Sequence, residues 1–169
     1  PGLHNVRIQW QANGGAAFLG DRSLVLATAP KAGTSIAQKF VAPDSGAAES
    51  TSSTVFTPMP GLSATGKLPP NGEVAVLVSA VTSVPDGESL HVRLTIDGAL
   101  VPESEVQLAE SATHRGVHSF VFSAKHLYAD TPPPASSTIR VEWRVAGGQP
   151  VFLDDRTMTV LVKTPTVPD

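Results

Sequence analysis

Ile139-Arg-Val-Glu-Trp-Arg-Val-Ala-Gly-Gly-Gln-Pro-Val-Phe-Leu-Asp-Asp-Arg-Thr-Met-Thr-Val-Leu161 repeats an earlier stretch of the same chain. That stretch is Val6-Arg-Ile-Gln-Trp-Gln-Ala-Asn-Gly-Gly-Ala-Ala-Phe-Leu-Gly-Asp-Arg-Ser-Leu-Val-Leu26. Arg7/Arg140, Trp10/Trp143, Gly14/Gly147 and Gly15/Gly148 match at one spacing. Phe18/Phe152, Leu19/Leu153, Asp21/Asp155 and Arg22/Arg156 match at a spacing one residue longer. Both tryptophans of the protein lie in these copies. An internal repeat of this kind is read before anything else, and it points to a modular protein cut from, or built like, a tandem array. Within each copy apolar and polar residues alternate with period two, as a half-buried strand requires. Asn13-Gly14-Gly15 and Gly147-Gly148 supply turn residues that tolerate positive φ. Each copy is therefore expected to be a β-hairpin.

The rest of the chain carries strand signals as well. Glu73 to Thr82 is nearly continuous in apolar residues, the mark of a central strand covered on both faces. Leu90 to Ile96 alternates, and Pro85-Asp86-Gly87 between these two runs is expected to turn the chain. Asp97-Gly98 is the strongest hairpin signal in the sequence. Val106 to Leu108 reads as a short edge strand, and Ala124 to Ala129 as one helical turn. Pro58 and Pro60 interrupt a strand over Val55 to Ala64, because proline cannot donate to a ladder. Helical periodicity is nowhere sustained. Short strands separated by turns at intervals of roughly 8–12 residues imply an all-β, antiparallel β-sandwich or jelly roll with an extra N-terminal hairpin. The expected organisation is a hairpin over 1–29, a linker or long loop over 30–53 and a sandwich module over 54–169. The linker reading rests on small polar residues such as those of Ser45 to Ser53. Within it, Ile36 to Val41 suits a short strand or a turn of helix. A single sandwich in which the two similar hairpins lie side by side fits the sequence equally well.

Composition narrows the function classes. The chain has 169 residues, enough to bury a sizeable core, and no cysteine. Disulfides, thiolate metal sites and thiol nucleophiles are thereby excluded together. Charged residues make up 16%, against roughly 25% in an average soluble protein, and the net charge is -3. No cluster of Lys or Arg could track a phosphate backbone, which argues against nucleic-acid binding. No apolar run approaches the roughly 18 residues that span a bilayer as a helix. The low charge and the Ser/Thr/Pro-rich stretch fit an extracellular, cell-surface or virion protein. The chain begins at Pro1 with no signal-peptide pattern, as a processed or excised product would.

Candidate site residues come from the repeat. Asp21-Arg22 and Asp155-Arg156 can be read as a carboxylate and guanidinium gripping a ligand or subunit. They can also be read as a staple fixing the second strand, with the Arg stem over Trp10 or Trp143. Recurrence favours the staple. The phase of the alternation puts Trp10 and Trp143 on the apolar face, as core anchors in preference to a sugar-binding platform. His114 and His118 stand four apart with His91 and His126 nearby, but the segment does not read as helix and no metal-ligand motif is present. Asp154/Asp155 and Glu103/Glu105 give no reason to converge across a cleft, as paired glycosidase carboxylates must. No nucleophile elbow or phosphate-binding glycine loop occurs. No cofactor is expected.

The module over Thr54 to Thr164 also carries a resemblance. Its pattern runs Pro60-Gly-Leu-Ser63, Val74-Ala-Val-Leu-Val-Ser-Ala80, Val92-Arg-Leu-Thr-Ile-Asp-Gly98, His118-Ser-Phe-Val-Phe122, Val141-Glu-Trp143 and Asp155-Arg-Thr157. It resembles bacterial repeat modules. The run of strands is similar to jelly-roll domains of the tumour-necrosis-factor and complement globular-head type. The likeness implies self-association, commonly as trimers, and binding to other proteins, and it transfers no functional residue. The expectation is a non-enzymatic structural or protein-interaction module whose partner is a second copy or a surface protein. A carbohydrate-binding module is the alternative and a hydrolase domain comes third. The first hairpin should pair with some sheet edge by strand addition, because an isolated hairpin exposes unpaired N–H and C=O groups.

Overall fold

The computed structural model describes residues 36–41, 49–129 and 131–163, without the side chains of 36–41, 111–115 and 126. The hairpin expected over Val6 to Leu26, with Trp10, Asp21 and Arg22, lies outside the described residues. Those residues form eight strands and no helix. The strands are β1 (Ile36–Val41), β2 (Glu49–Thr51), β3 (Thr57–Gly66), β4 (Gly72–Ile96), β5 (Ala99–Leu100), β6 (Val106–Leu127), β7 (Ser137–Val145) and β8 (Val151–Lys163). Every pairing is antiparallel, and the whole forms one nearly barrel-shaped sheet. The protein is all-β, as the alternating pattern implies.

β4 organises this sheet. Along one edge it pairs with β6 from Gly72 to Val92. Along the other edge it takes β8 on its first half and β7 on its second. β7 and β8 both run antiparallel to β4, so they run in the same direction, end to end. The segment Ile139 to Leu161 is therefore not a hairpin. Its Gly147-Gly148 is a jog between two collinear strands. The reason lies in β4, which is 25 residues long and presents a row of N–H and C=O groups too long for β7 alone. Reversing the chain at Gly147 would leave the first half of that row without β8.

β4 and β6 share an irregular stretch. Six residues of β4, Val84 to Ser89, stand opposite three of β6, Ala112 to Glu110. Pro85 brings no N–H to the ladder, and Gly87 has φ 78°. Pro85-Asp86-Gly87 thus kinks a continuous strand where a chain reversal was expected. On one side of the kink lie β6, β4, β8 and β1; on the other lie β6, β4, β7 and β3. β1 and β3 approach each other on the far side. Asp97-Gly98 does reverse the chain. Both residues have positive φ, 52° and 80°, as a type I′ hairpin needs, and β5 pairs back on β4.

Three further segments differ from their sequence reading. β1 and β2 fall in the expected linker, yet both pair with β8. Val106 to Leu108 opens a 22-residue strand that carries the chain to Leu127 without a helical turn. β4 is central by hydrogen bonding but covered on one face only. Val74, Val76, Val78 and Ala80 are buried, while Glu73, Ala75, Leu77 and Ser79 are half-buried. Among the described residues no second layer covers the outside.

The inner faces close over one core. Leu62, Leu90, Leu94, Leu153 and Met158 are fully buried, with Trp143 at 2% exposure. Each such aliphatic side chain contributes about 1.5–3 kcal/mol relative to leaving it in water.

Candidate functional site

The jog between β7 and β8 is held by a side chain that no motif marks. Glu88 sits in the β4 kink at 1% exposure. Its Oε1 accepts hydrogen bonds from the N–H groups of Ser89 (2.8 Å), Ala146 (2.9 Å) and Gly147 (2.7 Å). Its Oε2 accepts from Gln149 N–H at 2.8 Å. Burial pushes the carboxyl pKa up, but the N–H groups of Gly147, Ser89, Gln149 and Ala146 outweigh it and hold it below its usual value. The glycines are explained by this contact. A Cβ on Gly147 would stand 3.1 Å from Glu88 Oε2, and Gly148 has φ 84°. The corner is a closed receptor for an internal carboxylate, with no free valence for a ligand.

The repeated Asp155-Arg156 does not form a pair. Ala80 faces Arg156 and Thr82 faces Leu153, so Asp154 and Asp155 together stand opposite Val81 as a bulge. The extra residue inverts the in–out phase. Leu153 is inside, Asp155 is exposed, and Arg156 turns inward at 9% exposure. There its Nε donates to Pro60 O at 2.7 Å. That carbonyl belongs to a second bulge, in β3 between Pro58 and Ser63. The guanidinium also lies 3.8 Å from Glu49 on β2. Arg156 thus ties β8, β3 and β2 together. Trp143 is interior in β7, opposite Val92.

The outer faces of the two layers differ in chemistry. On the β4–β7 side, Arg93 meets Glu142 through Nε and Nη2, each at 2.7 Å. Arg144 donates to Glu105 at 2.9 Å. Both guanidinium groups stack over Phe56, 4.1 and 5.1 Å from its centroid. Ser89 Oγ lies 3.0 Å from His91 Nε2, and His91 Nδ1 lies 3.9 Å from Glu105. This has the order of a hydrolytic triad without its geometry. The second gap is too long for a hydrogen bond, and Glu105 is already engaged by Arg144. Among the described residues no group of three or more His, Asp or Glu side chains could hold a metal ion.

The β6–β4–β8 side carries the opposite character. Val121 and Thr159 flank Leu77, Ser119 and Thr157 flank Ser79, and Val117 lies beside Val81. Val117 is 71% exposed and Val121 47%. A shallow hollow of about 270 Å³ lies over Leu77, Ser79 and Ser119. Ser79 and Ser119 hydrogen-bond each other at 3.0 Å. β6 itself has no partner on its outer edge among the described residues. No Lys, Arg, Asp or Glu, the kind of device that blunts exposed strand edges, occurs in Gly116 to Ala124. Sequence reading missed this face because each residue in it is unremarkable alone. Its signal was the uncharged alternation of Val117, Ser119 and Val121 against that of Leu77, Ser79 and Val81.

A second hollow, of about 460 Å³, lies between the β4–β5 turn and the end of β6, against Ile96, Leu100, Val101 and Leu127. Its polar end is self-satisfied. Tyr128 Oη donates to Asp97 Oδ2 at 2.5 Å, and Thr138 N–H donates to Asp97 Oδ1 at 2.7 Å.

No family model matches the chain, and no curated protein matches its sequence. Among solved structures, the chain is similar to the infectious bursal disease virus VP2 subviral particle. The TM-score is 0.45 at 12% identity, over 90% of this chain and 42% of that one. A structure of the infectious bursal disease virus Gt strain gives 0.42 at 11% identity, over 78% and 38%. The EclA C-terminal domain, a sugar-binding protein, gives 0.33 at 13%, over 80% and 82%. The chain thus spans about two fifths of the two virus chains. All three TM-scores fall below 0.5 and assign this chain neither a family nor a function.

Proposed function

We propose that the chain is a non-enzymatic structural or protein-interaction β-sandwich module, part of an extracellular or virion-type assembly. Its contact surface is the outer face of the β6–β4–β8 layer. The observation that carries this reading is the contrast between the two outer faces. One is charged and internally paired, and the other holds exposed Val117 and Val121 among hydroxyls, with no charge between them. Exposed valines beside a strand edge with no partner among the described residues favour a contact made by this face.

The carbohydrate-binding alternative has less support. Sugar platforms use exposed aromatic rings, and among the described aromatic residues only Phe152 is exposed, at 49%. The test compares the wild type with a Val117→Asp, Val121→Asp double variant by light scattering, glycan array and capture of surface proteins. The wild type should assemble or bind, and the variant should lose this while keeping its melting temperature within a few degrees. A wild type that neither assembles nor binds refutes the reading, and so does a variant that behaves like it.

A further inference from the structure

Along β8 the face ends in exposed charges of opposite sign. At one end stands the row Lys125, Glu73 and Lys163, joined through Glu73 at 3.5 and 3.3 Å, with one positive charge in excess. At the other end the β8 bulge places Asp154 and Asp155 opposite Val81. Asp155 and Lys163 are exposed. The two ends are eight residues apart along β4, about 26 Å at strand rise. Leu77 lies midway.

Taking the proposed contact face as its basis, we infer that it docks a second copy of the same chain, sheet face to sheet face, about a two-fold axis lying across β4 at Leu77. Such an axis reverses the strand direction of the partner. Lys163 of each copy then lies over Asp155 of the other, since both stand on β8, and this happens twice because the interface is isologous. A parallel arrangement about β4 would set Lys163 over Lys125 and Asp155 over β6 instead. Leu77 and Val121 of the two copies meet in the middle, where the hollow over Leu77 and Ser79 receives side chains of the partner. Three strands about 4.8 Å apart over this length present a few hundred Å², below the roughly 800 Å² per partner of a stable interface. The dimer is therefore weak and concentration-dependent, and its charges decide the register more than the affinity.

Sedimentation equilibrium of the full chain between about 10 μM and 1 mM tests this. The wild type should show a monomer–dimer equilibrium, weakened at least tenfold by Val121→Arg and by Val117→Arg. Asp155→Lys alone and Lys163→Glu alone should each weaken it about tenfold. An equimolar mixture of those two variants should recover the wild-type association, because each restores the complement of the other. Circular dichroism confirms that the single variants remain folded. A wild type monomeric at 1 mM overturns the inference, as does a dimer indifferent to both valine variants. A mixture no stronger than its components also overturns it. Glycan or protein binding by a strictly monomeric chain, lost in Val121→Arg, would overturn this dimer while leaving the contact-face reading intact.

Discussion

Removing the Glu88 carboxylate should cost the protein a substantial part of its stability, although it binds only backbone N–H groups among the described residues. In Glu88→Ala the N–H groups of Gly147 and Gln149 lose the acceptor the structure gives them. Ala146 N–H retains Ser89 O at 3.1 Å. Each donor left without a partner costs about 1–3 kcal/mol. Gly147 and Gln149 lie at exposed positions where water can partly replace the carboxylate. Relief of a buried charge offsets more. The expected loss is about 3 kcal/mol, near the lower part of the summed range. At about 2–4 °C per kcal/mol for a chain of this size, the melting temperature should fall about 6–12 °C. Glu88→Gln keeps the shape but turns an amide N–H₂ toward a donor, and should cost about 2 kcal/mol.

The same carboxylate gives this loss a pH signature. Its folded pKa lies below the usual 4.5, so its contribution is fully present above that value and disappears as pH falls through the folded pKa. The stability gap between wild type and Glu88→Ala should be constant near neutrality and narrow in acid below 4.5. Urea unfolding followed by far-UV circular dichroism across pH 7 to 3 measures both. A loss under about 1 kcal/mol at neutral pH, or a gap that widens in acid, would refute the clamp.

Three other substitutions probe the same architecture. Gly148→Ala forces an L-residue to φ 84° and should cost about 1–2 kcal/mol in a thermal melt; no loss would mean that the jog relaxes freely. Arg156→Met leaves Pro60 O without its donor and should cost about 2 kcal/mol in urea unfolding, with protection of the β3 bulge from hydrogen exchange reduced. Thr82 Oγ1 is buried with no hydrogen-bond partner among the described residues, so Thr82→Val should raise stability by about 1 kcal/mol, and a destabilised variant would show that the hydroxyl is satisfied.

Much of the fold was legible in local pattern. The alternation of Ile139, Val141 and Trp143 predicts one buried face, and all three are buried in β7. Asp97-Gly98 predicts a tight reversal, and its two positive φ values deliver one. The site was much less legible. Asp155 and Arg156 point to opposite sides as any strand neighbours do, but only the bulge decides that Arg156 is the one inside. Glu88 carries no motif at all, and three of its four partners lie 58 to 61 residues away.

By itself, then, the sequence determined the all-β class, the phase of the apolar face within unbroken runs such as Leu90 to Ile96 and Ile139 to Val145, and the tight reversal at Asp97-Gly98. These depend on residues within a few positions of one another. Tertiary structure decided what the repeated Gly147-Gly148 does. A pair of glycines permits a hairpin and a jog alike. The choice fell to the free edge of β4, which is long enough to take β7 and β8 in line, and to Glu88, whose carboxylate holds the corner between them.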